Sequence, residues 1–490
     1  MKKEVSEANP IKEYATNIGV VGIANLLVRL SSLILLPILT KVSGTHDYGI
    51  WTQVNVTVSL LTPLALLGLL FSMIRFLAAE KDKRKLQEGF YSMMFFALFV
   101  SLFISLLLFT LSGFIADKLF DREVKVVKIT AILIPLECLN AICMNYFRTF
   151  RMMKKYSAFV VSRSYGNVGL VSFMILQGFG IFWAVVALLI VDIIIFFIAF
   201  SMILLEIGFS LPSFSNIREY LRYGLPTLPR DVSSWVMGLS DRYIIAYFLG
   251  VTYVGVYSPG YALGNIIALS RAPLGTIMLP TFSKLYDENR MEELEVHLKY
   301  TLKYFLLMAI PSVFGLSLLS KQLLVIMSTP EIASQGYLVT PFIALSNLLY
   351  GIHGIYAQIL YLERRTKIIG GLWTCSALMN LGLNIVFVPK FGILGASITT
   401  LVAYMTATTI TVYFSSKHFS LCVDNKSALK SLLASAVIPI VIIKMTPKGL
   451  LDTLFAIVLC SFIYFAVQIM LKGITIKEIK FFLSLILIRL

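Results

Sequence analysis

Five arginines and four carboxylates sit in or at the edges of long apolar runs: Arg29, Arg75, Arg230, Arg242 and Arg271, with Glu137, Asp192, Asp231 and Asp241. A charge in mid-bilayer costs about 3 kcal/mol on insertion scales, so each needs a partner or a task. The planar guanidinium pairs two-pronged with phosphate or carboxylate oxygens, so an intramembrane arginine without an acid nearby is a candidate anion ligand. Arg29 lies mid-run with no acidic neighbour in sequence, and Arg271 lies well inside its run. Arg75 stands at the end of its run, where the long side chain can snorkel to headgroups. Arg230 adjoins Asp231 and can instead form a structural ion pair.

The acids divide differently. Glu137 and Asp192 have no evident partner and are expected to be protonated, hydrogen-bonded packing residues. His353, between Gly351 and Gly354, is expected to be a hydrogen-bonded helix contact. Asp241 either binds a proton, its carboxyl favoured by desolvation, or binds a metal cation. Asn380 and Asn384 are four residues apart and so share a helix face. Thr399 and Thr400 follow one turn after Gly395 and Ala396. One carboxylate, two amide oxygens, a hydroxyl and a free backbone carbonyl would make an oxygen cage for a hard cation such as Na⁺. In the alternative, Asp241 pairs with an arginine and the asparagines tie helices together. The five cysteines form no CxxC pair and the four histidines are scattered, so neither a disulfide framework nor a zinc site is expected. No GxxxxGK[ST] phosphate loop occurs.

The elements that must carry these residues are membrane helices. The chain has 490 residues, 58% hydrophobic and only 14% charged, against about a quarter charged in a soluble protein. Fourteen apolar runs are long enough to span, at 18–40, 48–76, 90–115, 129–147, 158–178, 181–205, 224–249, 254–282, 302–319, 336–362, 368–388, 393–414, 429–445 and 450–471. The first is too long for a signal core and lacks a small-residue cleavage site, so it is expected to stay as a helix. With the N-terminus inside, 28 basic residues, Arg163 among them, fall on the inner side and 9 on the outer. That bias predicts cytoplasmic termini and an even number of spans in the cytoplasmic membrane. It also accounts for the net charge of +16 without nucleic acid. Loops are short on both faces, which leaves no sizeable catalytic domain and predicts a protein that is not an enzyme.

An internal repeat organises the runs. Gly44-Thr45-His46-Asp47-Tyr48-Gly49-Ile50-Trp51 matches Gly250-Val251-Thr252-Tyr253-Val254-Gly255-Val256-Tyr257 at an offset of 206, and Phe179-Gly180-Ile181 matches Phe391-Gly392-Ile393 at 212. Six spans per copy enter the membrane in the same direction, so parallel lobes are expected with a substrate path between them. The expected divisions are a cytoplasmic N-terminus (1–17), an N-lobe (18–205), a cytoplasmic linker (206–223), a C-lobe (224–414), two further helices (415–471) and an interfacial tail (472–490).

Leu36-Pro37-Ile38-Leu39-Thr40 leading to Asp47-Tyr48-Gly49 resembles the first hairpin of polysaccharide (O-antigen type) flippases. So do Tyr223-Gly224-Leu225-Pro226 followed by Asp241-Arg242-Tyr243, Gly255-Val256-Tyr257-Ser258, and Phe391-Gly392-Ile393-Leu394-Gly395-Ala396. The resemblance covers residues 18 to 414 and implies the multidrug/oligosaccharidyl-lipid/polysaccharide exporter superfamily. It implies an all-α membrane protein of about fourteen spans, with two pseudo-symmetric six-helix lobes and two C-terminal helices, rocking between inward-open and outward-open states. Spans 1, 2, 7 and 8 line the cleft in that family, which places Arg29, Arg75, Arg230 and Arg271 where a lipid-linked oligosaccharide would carry its phosphate. The lipid II flippase branch is similar in its last two helices. It binds sodium with an aspartate of helix 7 and residues of helices 11 and 12, a pattern that falls here on Asp241, Asn380, Asn384 and Thr400, with a carbonyl from Ala396. Asparagine stands at 384, where an acid can stand in that branch. The implied coupling ion is Na⁺ or H⁺. The implied partners are the lipid-linked oligosaccharide, membrane lipids and other polysaccharide-assembly proteins, with a monomer as the working unit. The rivals are a cation-coupled multidrug antiporter of the same superfamily and a membrane-embedded polysaccharide polymerase. The excess of arginine disfavours cationic drugs, and the short loops disfavour the polymerase.

Overall fold

The computed structural model describes residues 10–417, 425–475 and 478. The tail expected at the interface and the N-terminal residues 1–9 lie largely outside them. Among the described residues the regular structure is all helical. Among the described residues, ten helical stretches are long and apolar enough to cross a membrane. The chain divides into two compact units, Met1–Gly255 and Val256–Leu490.

In the first unit, α1 (Pro10–Ile38) runs through a π-helical turn (Leu39–Ser43) straight into α2 (Gly44–Leu66). The expected span 48–76 is broken. Leu67 and Gly68 take positive φ of 49° and 76° and set off the short α3 (Leu69–Phe76). Glycine has a reason to be at 68: a Cβ there would lie 2.2 Å from the carbonyl oxygen of Gly224. Then follow α4 (Lys83–Thr110), α5 (Ser112–Leu119), α6 (Val124–Thr149), α7 (Met153–Leu176) and α8 (Ile181–Ile207). Within the expected linker 206–223 the chain forms α9 (Ile217–Gly224), and α10 (Leu228–Leu249) follows. The helix α6 is the hub. It packs on α2, α4 and α8 and buries Ile134, Cys138, Ile142, Cys143, Tyr146 and Phe147. Lipid tails are as apolar as these side chains, so close packing and interhelical hydrogen bonds hold such helices together rather than exclusion from water. Asn145 shows the second force, its amide donating to the Leu70 carbonyl at 2.9 Å.

The repeat motifs explain two corners. Gly44 and Gly250, first residues of the two copies, have φ of 84° and 96°, and Gly180 and Gly392 of the second pair have 82° and 62°. A side chain is disfavoured there, so the same corner recurs in each copy with glycine at its apex.

The second unit continues with α11 (Val251–Gly264), which begins in the first, then a 3₁₀ turn (Asn265–Ile267) and α12 (Ala268–Asp287). The expected span 254–282 is thus two helices. Next comes α13 (Met291–Met327), 37 residues, or about 55 Å at the α-helical rise. After α14 (Pro330–Gly336) come α15 (Val339–Leu362) and α16 (Thr366–Ser416). The expected spans 368–388 and 393–414 run on as α16, separated only by the kink at Gly392 (φ 62°, ψ −146°). The last helices are α17 (Asn425–Ser435), α18 (Val437–Met445) and α19 (Leu450–Met470).

Candidate functional site

The strongest polar cluster in the first unit departs from expectation. Glu137 on α6 and Asp192 on α8 were expected without partners, and Arg163 in a basic loop. Instead Arg163 lies within α7 and holds both acids. Its Nε and Nη2 reach Asp192 Oδ1 and Oδ2 at 2.5 and 2.8 Å, and Nη2 also donates to Glu137 Oε1. Their side chains are 28%, 20% and 2% exposed for Arg163, Glu137 and Asp192. The physical reason is the cost of a bare charge in lipid: ions inside the membrane segment find one another when their helices are adjacent, and α7 packs on α8 and α6. The available signal was the position of Arg163 inside the span 158–178, four residues before Asn167 on the same face. A cavity of about 270 Å³ opens beside the triad, lined also by Asn55, Ser164 and Asn167. With both acids ionised the triad carries one more negative charge than positive.

Asp241 also has a partner. It is buried on α10, and its Oδ1 accepts from Nη1 of the equally buried Arg242 at 2.6 Å. That guanidinium donates as well to the Gly238 carbonyl at 2.6 Å. The Arg242 carbonyl accepts from Gln53 on α2 at 3.1 Å, and Tyr243 donates to Thr57 at 2.7 Å. These bonds fix α10 against α2.

Three more of the candidate arginines belong to the first unit. Arg29 on α1 is exposed, one residue beyond Val28, which lines the cavity. Arg75 is exposed in the last turn of α3, and Arg230 is exposed in the first turn of α10 beside the half-buried Asp231.

In the second unit, Arg271 of α12 stacks its guanidinium 3.8 Å from the centre of the Tyr350 ring on α15. Its Nη1 is buried without a hydrogen-bond partner among the described residues. Tyr350 is part of an aromatic group with Trp373 and Tyr404 of α16, which the sequence reading did not single out. His353 is buried and shares a 2.9 Å hydrogen bond with Thr411, the helix contact expected of it.

The oxygen-bearing residues of α16 converge. Asn384 donates its amide to the Asn380 carbonyl at 3.0 Å and to Asn380 Oδ1 at 3.2 Å. Thr399 donates to Asn384 Oδ1 at 2.9 Å, and Thr399 and Thr400 both reach the Ala396 carbonyl at 2.9 Å. All five residues are buried. The kink at Gly392 folds the two halves of α16 onto each other, which brings positions fifteen residues apart into contact. Asp241 belongs to the first unit and this network to the second.

The family model described as polysaccharide biosynthesis protein matches residues 14–286, and one described as MatE matches residues 226–386. An uncharacterized membrane protein of Methanocaldococcus jannaschii is 26% identical over 292 residues, 56% of this chain and 54% of the relative. A Haloferax volcanii protein described as "Probable low-salt glycan biosynthesis flippase" is 22% identical over 204 residues, 42% of this chain and 43% of its own. A second from that organism, "Probable flippase AglR", is 28% identical over 190 residues, 38% of each chain. The chain spans about half the length, or less, of these curated relatives. Among solved structures, the lipid II flippase MurJ in an inward closed conformation aligns with a TM-score of 0.74 at 20% identity, covering 91% of this chain and 97% of that one. An inward-facing MATE family multidrug resistance transporter aligns at 0.67 and 16%, covering 81% and 98%. These likenesses establish the fold. Since residues 14–286 are more than half of the 490, the chain belongs to the polysaccharide biosynthesis protein family of the multidrug/oligosaccharidyl-lipid/polysaccharide exporter superfamily.

Proposed function

We propose that the protein is a flippase that moves a lipid-linked oligosaccharide, a polyprenyl-phosphate or pyrophosphate sugar, across the cytoplasmic membrane by alternating access. The observation that carries this reading is Arg271. It is a guanidinium within a membrane helix, stacked on Tyr350, whose buried Nη1 has no acceptor among the described residues. A phosphate oxygen is the acceptor that such a group pairs with best. Family membership and the glycan-flippase descriptions of two relatives support the same substrate class. Arg29, Arg75 and Arg230 are assigned to the same anionic head, with the lipid tail left in the bilayer. No bond is made or broken, so the protein acts as a transporter and not an enzyme.

The full architecture is part of the proposal: fourteen spans, two six-helix lobes with two C-terminal helices, and both termini cytoplasmic. The ten apolar helices are compatible with it. Two of the ten, Gly19–Leu66 and Thr366–Ser416, are long enough to hold two spans each, and α10 and the broken α11–α12 pair supply the remainder. Transport is assigned to coupling with Na⁺ or H⁺. Asn380, Asn384, Thr400 and Ala396 provide clustered oxygens for a cation in the second unit, and Asp241 is assigned as the ion-binding carboxylate of the first, available once it releases Arg242.

A second reading, a cation-coupled small-molecule antiporter, draws on the MatE match over residues 226–386. The arginines weigh against cationic substrates. Leaflet translocation of a fluorescent polyprenyl-diphosphate sugar in proteoliposomes separates the two. Protein-dependent movement is expected. Its absence, with efflux of a cationic dye in its place, would overturn the flippase reading.

A further inference from the structure

The aromatic group around Arg271 has the chemistry of a carbohydrate platform. Tyr350 meets Trp373 edge to face with centres 5.3 Å apart and lies 5.1 Å from Tyr404. Trp373 also stands perpendicular to His353 at 5.1 Å, and His353 is buried and tied to Thr411. The histidine thus backs the cluster, while Tyr350, Trp373, Tyr404 and Arg271 all remain partly accessible. Four helix segments bring these groups together: α12, α15 and the two halves of α16 that the Gly392 kink folds together.

Each group has a reason to await a ligand. Aromatic faces carry a negative quadrupole, which attracts both a guanidinium and the polarised C–H groups of a sugar ring. Stacking on Tyr350 compensates part of the charge of Arg271, but a ring face offers its N–H groups no oxygen acceptor. The buried Nη1 therefore still lacks an acceptor, and an unpaired buried donor is costly until one arrives. Rings for the sugar and a donor for an adjoining oxyanion are arranged side by side.

We propose that Tyr350, Trp373 and Tyr404 form a glycosyl subsite that holds the first sugar of the substrate, with Arg271 Nη1 donating to the phosphate attached to it. The inference rests on the flippase reading for its substrate class and adds the residues that recognise the sugar. The phosphate alone could equally come from a sugar-free lipid, so the sugar is the discriminating element.

Isothermal titration of the purified full-length protein in detergent tests it. The probes are farnesyl diphosphate, and farnesyl diphosphates each carrying one glucose, galactose, mannose or N-acetylglucosamine. At least one sugar-bearing probe is expected to bind fivefold or more tighter than farnesyl diphosphate. Tyr350→Leu and Trp373→Leu are each expected to bring that ratio to within twofold, while Trp373→Phe, which keeps a ring face, preserves it and controls for misfolding. Arg271→Ala should weaken every probe tenfold or more, the sugar-free one included. The proposal is overturned if no sugar probe outbinds farnesyl diphosphate, or if the preference survives both leucine variants. Sugar preference without translocation in proteoliposomes would retain the subsite and reject the flippase. Translocation without sugar preference would do the reverse.

Discussion

Gly49 and Gly255, equivalent residues of the two repeat copies, meet at backbone contact with mirrored geometry. A Cβ built on either would lie 3.2 Å from the other's amide nitrogen. It would also lie 2.1 Å from the Val251 carbonyl oxygen in the case of Gly49, and 1.9 Å from that of Thr45 in the case of Gly255. Thr45 and Val251 are themselves repeat equivalents, so the crossing has a local two-fold character.

Alanine at either glycine must push two backbones apart, because the clashing atom is a carbonyl that cannot swing aside. Gly49→Ala and Gly255→Ala are each expected to cost about 1–3 kcal/mol, read as a lowered midpoint in thermal unfolding of the detergent-solubilised protein. Gly169→Ala on α7, where a Cβ meets nothing within 4 Å, should be neutral or slightly stabilising.

Arg163 pairs with two acids at once, the buried Asp192 and the half-buried Glu137. Arg163→Leu strands both and should lower stability by about 3–5 kcal/mol. Combining it with Glu137→Gln and Asp192→Asn removes the stranded charges and is expected to restore at least half of that loss. A triple variant no more stable than Arg163→Leu would show that the guanidinium acts through packing and not through its ion pairs.

Arg29→Ala is expected to abolish translocation while leaving expression near normal, and Arg29→Lys to recover only part, since lysine keeps the charge but loses the two-pronged geometry. Arg271→Ala should act in the same direction. Wild-type translocation rates for Arg29→Ala would remove that residue from the substrate path.

Sodium coupling predicts that Na⁺, and not K⁺, raises hydrogen-exchange protection in α10 and α16, and that Asp241→Asn erases the effect. A protein indifferent to Na⁺ whose transport follows the pH gradient would make Asp241 a proton site.

Glu478, eight residues after α19, accepts from Lys303 Nζ at 2.7 Å, the Tyr304 hydroxyl at 3.0 Å and the Thr475 backbone N–H at 2.8 Å. Burial alone would raise its pKa, but the Lys303 ammonium and the Thr475 and Tyr304 donors outweigh it and hold the carboxyl at about 2. The free acid titrates near 4.3, so this contact stabilises the fold fully above that range and is lost as pH falls toward 2. Glu478→Gln should lower the thermal midpoint by about 2 °C at pH 7. The difference from wild type should shrink steadily between pH 5 and pH 2, and a pH-independent difference would mean that the charge plays no part.

The membrane character, the positions of most apolar helices and the repeat were legible in the sequence because each is local. Hydropathy accumulates along a run, and the glycines at Gly44, Gly250, Gly180 and Gly392 mark corners by their own backbone freedom. Local patterns do not report which helices touch. Glu137, Arg163 and Asp192 lie 26 and 29 residues apart, so nothing in their neighbourhoods pairs them, and only the packing of α7 on α6 and α8 turns three isolated charges into one cluster. The same holds for Tyr350 and Trp373, ordinary aromatics in separate spans until the α15–α16 packing joins their rings and Arg271 stacks on Tyr350. The breaks at Gly68 and between Gly264 and Ala268 went unread for a related reason: hydropathy measures whether a residue prefers lipid and is blind to φ. Residue type thus determined which side chains need a partner in the membrane, and tertiary packing decided which partner each one has, because a helix fixes the face of its own residues but not its neighbours.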